Sequence, residues 1–177
     1  MKKIVVSYCV LLLIAACNTT PNKTIATNED SSVIDSAILP ADTAQARRDL
    51  TLILDSMHNS FTRRDVSYID HYMAKDGLFM GTDPGELLNF SDFRAYQVSM
   101  FMDTTLNVEL NIKERIIRIH GGSSNLVEQY MAPGISQKLM LRNVAHARYE
   151  NGRWVIDMLT YNVIPKNEDV PKIDRAL

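Results

Sequence analysis

The chain of 177 residues carries 19 basic and 21 acidic side chains, which gives a formal net charge of −2. That length fits one domain with appendages rather than two full domains, and the near-zero charge disfavours a nucleic-acid binder that relies on bulk positive charge. Its two cysteines exclude a disulfide-rich scaffold and a zinc site with four cysteine ligands. We therefore expect one globular domain without a nucleic-acid partner.

Residues 1–16 are predicted to be a targeting signal. Lys2 and Lys3 precede a run from Ile4 to Ala16 that is almost wholly apolar. A helix of that length spans about 20 Å, well short of the roughly 30 Å hydrocarbon core of a bilayer. A secretory signal therefore fits the run better than a membrane span.

The end of this run, Ile14-Ala15-Ala16-Cys17, resembles the bacterial lipobox. The resemblance implies cleavage before Cys17 and lipidation of Cys17, and several acyl chains on one residue give stable anchoring. Asn18 follows the cysteine and, by the enteric sorting rule, favours the outer membrane over the inner one. We expect a lipid-anchored protein of the cell envelope whose partner is the membrane. The alternative is an ordinary signal peptide with a chance cysteine.

Residues 17–40 are rich in Asn, Thr, Ser and Pro, and this composition predicts a flexible tether. The domain is expected over residues 41–165 and begins with helices. A helix is predicted over residues 43–62, with Asp42 or Thr43 as its N-cap. Its apolar stripe consists of Leu50, Ile53, Leu54, Met57 and Phe61.

Two further helices follow, with Asp65 and Ser91 as their predicted N-caps. Between them, residues 78–80 form a short apolar strand candidate, and Thr82-Asp83-Pro84-Gly85 is a strong turn signal. The first half of the domain is thus predicted to contain three helices and one short strand.

The second half predicts four strands. Apolar residues alternate from Leu106 to Ile112, and a phase slip follows that indicates a bulge near residues 113–116. The remaining strands are predicted over residues 126–131, 138–150 and 153–163, and Asn151-Gly152 is the strongest hairpin signal. This order predicts an α+β fold in which three N-terminal helices pack on a four-stranded antiparallel sheet. Residues 166–177 are predicted to form a polar C-terminal extension.

The Asn-Gly turn also predicts the register of the last two strands. Strict alternation places Asn143, Thr160 and Asn162 on a concave face toward the helices. The same register places His146 opposite Asp157 on the convex face. That location favours a cross-strand polar pair over a catalytic base and its orienting acid.

Two segments resemble the SnoaL-like branch of the nuclear transport factor two superfamily: residues 79–86 before the third helix, and residues 151–156 at the start of the last strand. The resemblance covers residues 41–165. It implies a strongly curved sheet wrapped around a long helix, which forms a cone with a pocket, and it implies a homodimer through the convex face. The resemblance implies almost nothing about activity.

Five residues are candidates for ligand binding in this cone: Tyr72, Asp83, Asn143, Thr160 and Asn162. Because the predicted concave face holds no general base, we assign no catalytic residue. The sequence has no Walker A, GxGxxG, HExxH or CxxC motif, so no cofactor or metal is expected. We expect non-catalytic binding of a small hydrophobic ligand or an accessory role. The alternatives are an isomerase, dehydratase or hydrolase with Asp83 as its acid or base, and a dimeric protein-interaction module.

Overall fold

The computed structural model describes residues 42–105 and 108–176. The elements in chain order are α1 (Thr43–Arg63), α2 (Ser67–Tyr72), β1 (Met73–Met80), β2 (Leu87–Leu88), α3 (Phe90–Met102), β3 (Asn111–His120), β4 (Ser123–Ala132), β5 (Ser136–Glu150), β6 (Arg153–Ile164) and α4 (Val170–Asp174). The predicted signal, Cys17 and the tether lie outside the described residues. None of the helices within those ranges has both the length and the apolar character needed to span a bilayer.

The strands form one six-stranded sheet in the order β2-β1-β6-β5-β4-β3. The prediction of a four-stranded antiparallel sheet is therefore wrong. The described residues also contain four helices and not three. The additional elements are β2 and α4, and β1 is longer than the predicted strand over residues 78–80. β1 pairs parallel to β6, from Met73 with Ile156 to Met80 with Thr160. A parallel pairing between distant segments leaves no turn signal in the sequence, and the polar stretch inside β1 hides its alternation.

α1 is the long helix that the curved sheet wraps, and it begins as predicted. The Asp42 carboxylate accepts a hydrogen bond from the Ala44 amide at 2.8 Å, which satisfies one of the free N–H groups of the first turn. The predicted apolar stripe is buried against the sheet. Phe79 of β1, which is fully buried, stacks on Phe93 of α3 with ring centroids 4.6 Å apart, so α3 shares this core.

The N-termini of the next two helices differ from the predictions. α2 starts at Ser67, and Asp65 accepts hydrogen bonds from the Ser67 amide and hydroxyl one residue before the cap position. α3 is capped by Asn89, whose Oδ1 accepts from the Asp92 amide at 2.9 Å, and not by Ser91. Asn and Ser are similarly good caps; with Asn89 at the cap, Phe90 becomes the first helical residue and is buried.

The β5–β6 hairpin has the predicted turn but not the predicted register throughout. Asn151 and Gly152 both have positive φ, as a type I′ turn requires, and Tyr149 pairs with Trp154. A bulge at Asp157 then shifts the pairing, so that His146 lies opposite Met158.

The bulge predicted near residues 113–116 is confirmed, because the β3–β4 register shifts between Ile112 and Glu114.

The bulge at Asp157 changes which side chains of β6 face the helices. Leu159 is fully buried and Tyr161 packs against the core, whereas Met158 and Asn162 are exposed. The prediction that Thr160 and Asn162 lie on the concave face is therefore wrong. Two consecutive residues share one face at a bulge, and strict alternation from the turn cannot anticipate this.

Candidate functional site

A cavity of about 130 Å³ lies between α3, the end of α1 and the inner face of the sheet. We call it the cone cavity. Its walls are mostly apolar: Phe61, Leu88, Phe93, Met100, Val108, Leu110, Ile135, Leu141 and Val163, with the aromatic rings of Tyr96, Tyr130 and Tyr161. Apolar cavities of about 150 Å³ accept a benzene-sized molecule, so this one can hold a small ligand.

Gln97 is the buried polar residue of the cavity wall. It projects from α3, is 2% exposed, and lines the cavity. Its Oε1 is buried and accepts no hydrogen bond from any residue that the structure describes. Such an unmet acceptor costs about 1–3 kcal/mol, and native interiors contain few of them. A group inside the cavity that donates a hydrogen bond would satisfy it.

The mouth of the cavity is marked by partly exposed lining residues, among them Glu86, Tyr96 and Ile135. Glu86 Oε2 accepts a hydrogen bond from the Asp83 amide at 3.0 Å. The Glu86 side chain folds over Gly81, where an added Cβ would lie 1.8 Å from Oε2. Glycine at position 81 therefore allows the carboxylate to rest at the mouth. Burial and the Glu86 charge raise the pKa of the Tyr96 hydroxyl.

Buried phenols lie at the inner end of the cone. The Tyr130 hydroxyl donates to Asn143 Oδ1 at 2.7 Å, and the Tyr161 hydroxyl donates to Met57 Sδ at 3.8 Å. The Tyr68 hydroxyl is buried beside Ser60 and Tyr161 but makes no well-aligned hydrogen bond among the described residues. Burial is the main cause that raises the pKa of Tyr68, Tyr130 and Tyr161 well above the ordinary value, so all three keep their protons at neutral pH.

A buried ionic network, the Glu128 network, lies beside these phenols but does not line the cone cavity. Glu128 is 1% exposed and accepts hydrogen bonds from Arg115 Nε at 2.6 Å and from His58 Nε2 at 2.7 Å. Arg115 also pairs with Asp55 at 2.8 Å. Burial alone would lower the pKa of Arg115, but the two carboxylates raise it above its usual value. The network therefore ties α1 to β3 and β4.

Sequence reasoning missed this network and the roles of Gln97 and Glu86. Glu128 stands in phase with the inward-facing Leu126 and Tyr130 of β4, and that phase is the signal that could have revealed it. Gln97 offers a weaker signal, since a polar residue four positions after Phe93 and four before Phe101 shares the buried face of α3.

The five residues predicted to bind a ligand do not come together. Asn143 is buried inside the cone, where it accepts from Tyr130 behind the cavity wall. Tyr72 lines a separate polar cleft between α1 and α2. Asp83 is exposed and accepts from the Gly85 amide at 2.8 Å, as a turn residue does. Thr160 and Asn162 are on the outer face, because of the bulge.

The outer face carries the predicted polar pair within a larger charged cluster. His146 Nδ1 lies 2.6 Å from Asp157 Oδ1, although the two residues are not directly opposite. Arg148 bonds Asp157, Glu150 and Asp76, and hydrogen bonds to Asp76 and Glu150 raise its pKa. This cluster lies away from the cone cavity, as the sequence predicted. Within the described ranges, no three His, Cys, Asp or Glu side chains could together hold a metal ion.

A family model for the SnoaL-like domain matches residues 51–159. The chain belongs to the SnoaL-like family. No curated protein sequence matches this SnoaL-like chain.

Solved structures share the fold of this SnoaL-like domain. An NTF2-like protein of unknown function from Pseudomonas putida KT2440 is 13% identical, with a TM-score of 0.62 over 71% of this chain and 92% of its own. A protein with a cystatin-like fold from Nostoc punctiforme PCC 73102 is 15% identical, with a TM-score of 0.59 over 70% and 95%. A candidate ketosteroid isomerase from Shewanella frigidimarina NCIMB 400 is 14% identical, with a TM-score of 0.53 over 62% and 91%. At these identities the likeness shows the fold alone.

Proposed function

We propose that the SnoaL-like domain binds a small, mostly apolar ligand in the cone cavity without transforming it, and that Cys17 anchors the protein to a membrane of the cell envelope. The observation that carries the binding proposal is the apolar cavity with an unmet buried acceptor, Gln97 Oε1, in its wall. Pockets that bind small molecules combine apolar walls with a few polar groups that orient the ligand.

The groups that line the cavity support a non-catalytic role. Tyr130 and Tyr161 have raised pKa values and keep their protons, so they do not act as bases at neutral pH. Asp83 is the acid or base in the alternative hypothesis of an isomerase, dehydratase or hydrolase. It is exposed and does not line the cavity. Glu86 is the carboxylate among the lining residues that the structure describes, and conversion of a bound ligand that ceases in a Glu86→Gln variant would replace our proposal.

Filling the cavity is expected to abolish ligand binding. Met100 lines the cavity, so Met100→Trp should place the indole ring where the ligand lies. We expect toluene to shift the methyl resonances of Leu88 and Leu141 in the natural protein and, in this variant, to bind at least tenfold more weakly. NMR titration of the intact protein in lipid nanodiscs measures this.

Met102→Trp is the matched control, because Met102 lies on the same helix, is 76% exposed and does not line the cavity. Toluene should bind this variant as it binds the natural protein. Equal toluene affinity in both variants would contradict binding in the cone cavity.

The lipid anchor has a separate test. Growth of the native host with a palmitate analogue should label the protein, and Cys17→Ala should remove the label, because Cys17 is the proposed acceptor. Labelling that survives this substitution would show that the lipobox interpretation is wrong.

Native mass spectrometry of the released protein would count its subunits, which tests the homodimer that the family resemblance implies.

A further inference from the structure

We propose that the ligand of the cone cavity is a small apolar amine, recognised by hydrogen-bond acceptors of the cavity wall and mouth. This inference rests on the proposed function, since it names the chemical class of ligand that the same cavity takes. The hydrogen-bonding groups and the charge of the lining residues support an amine.

Two lining residues present oxygen acceptors. Gln97 Oε1 is buried and unpaired among the described residues. The Glu86 carboxylate at the mouth accepts a hydrogen bond from the Asp83 amide and contacts the Tyr96 hydroxyl, and a carboxylate has about four acceptor sites in all. Both oxygens favour a ligand that carries N–H donors.

The phenol protons near the cavity are already directed at protein acceptors. The Tyr130 hydroxyl donates to Asn143 and the Tyr161 hydroxyl to Met57. Neither proton is therefore free to donate to a ligand carboxylate or carbonyl. Apart from the Gln97 amide N–H groups and the Thr82 and Tyr96 hydroxyls, the side chains that line the cavity are therefore apolar or present acceptors.

The charges of the lining residues also favour an amine. Among the lining residues that the structure describes, none is a lysine, arginine or histidine, and Glu86 is the one carboxylate. An anionic ligand would lose its hydration and meet no compensating charge. A protonated amine would meet Glu86 at the mouth and the faces of aromatic side chains nearby, which attract cations. The cavity volume of about 130 Å³ limits the apolar part to about one ring.

The test compares four probes of nearly equal shape: toluene, benzyl alcohol, benzylamine and benzoate. Each is titrated at pH 7 into the intact protein in nanodiscs of zwitterionic lipid, with empty discs as the blank. The methyl resonances of Leu88, Leu110 and Leu141, which line the cavity, report occupancy. We expect benzylamine to bind about tenfold more tightly than toluene or benzyl alcohol, and benzoate to bind more weakly than toluene.

Three variants assign the preference to its residues. Gln97→Leu removes the buried acceptor at similar volume, and Glu86→Gln removes the charge at the mouth. Each should weaken benzylamine binding about tenfold while toluene, whose binding also reports correct folding, is retained. Asp83→Asn is the matched control, since Asp83 is a neighbouring exposed carboxylate that does not line the cavity, and it should leave both affinities unchanged.

The outcomes separate the two proposals. If toluene, benzyl alcohol or benzoate binds at least as tightly as benzylamine, the amine inference is overturned while ligand binding in the cavity stands. If the benzylamine preference persists in both Gln97→Leu and Glu86→Gln, the assigned acceptors are wrong. If none of the probes shifts the cavity methyl groups, the proposed function itself fails.

Discussion

Replacement of Glu128 by alanine is expected to lower the free energy of unfolding by about 3–5 kcal/mol, the usual cost of breaking a buried ion pair by removing one partner. Glu128 is 1% exposed and is the shared acceptor for Arg115 and His58. Without it, the Arg115 guanidinium, with 22% of its side chain exposed, loses its buried counter-charge. Urea denaturation followed by circular dichroism measures the change.

Gln129→Ala is the matched control for Glu128→Ala. Gln129 is the next residue of β4, is half-buried and belongs to the opposite face, so its loss should cost no more than about 0.5 kcal/mol, as is usual for surface positions. A double variant, Glu128→Leu with Arg115→Met, should recover much of the lost stability, because replacing both partners of a buried pair is often close to neutral. A cost below about 1 kcal/mol for Glu128→Ala would contradict a structural role for the network.

Alkaline pH is expected to destabilise the domain steeply through its buried phenols. The pKa values of Tyr68, Tyr130 and Tyr161 are raised in the folded state above the ordinary value of 10.0. Above pH 10 the unfolded chain therefore loses these protons while the folded chain keeps them. The unfolded state then binds fewer protons, and stability falls by about 1.4 kcal/mol per pH unit for each phenol, or about 4 kcal/mol per unit for three. Below pH 10 this contribution is fully present.

Tyr68→Phe tests this pH dependence most directly. Its hydroxyl is buried beside Ser60 and Tyr161 without a well-aligned hydrogen bond, so removing it should cost less than about 1 kcal/mol at pH 7. Between pH 10 and 11 the variant should lose about 1 kcal/mol less stability than the natural protein, because the phenol of the unfolded chain is only half deprotonated at pH 10. Tyr130→Phe, by comparison, should lose about 1–3 kcal/mol at pH 7, because Asn143 Oδ1 loses its donor. Denaturation curves at pH 7, 10 and 11 measure both, and an unchanged alkaline slope in Tyr68→Phe would contradict burial of that phenol.

The hairpin of the last two strands shows how far local pattern reaches. Asn151-Gly152 determines the turn, because both residues must adopt positive φ, and it determines the first pairs from Glu150 with Arg153 onward. The bulge at Asp157 then shifts the pairing, and the Asp157 carboxylate bonds to His146 and Arg148 of β5, side-chain contacts that the turn does not specify. The predicted ligand residues Thr160 and Asn162 were consequently assigned to the wrong face.

Short segments of the chain are enough to predict the targeting signal, the α+β class, the long capped helix α1 and the family resemblance, because these depend on composition, caps, turns and periodicity. The parallel pairing of β1 with β6 and the positions of Gln97, Glu86 and Glu128 emerge only in the folded domain. Pairing and burial depend on segments far apart in the chain, which no local pattern describes. A polar side chain acquires its partner, or is left without one, only when the sheet closes around α1.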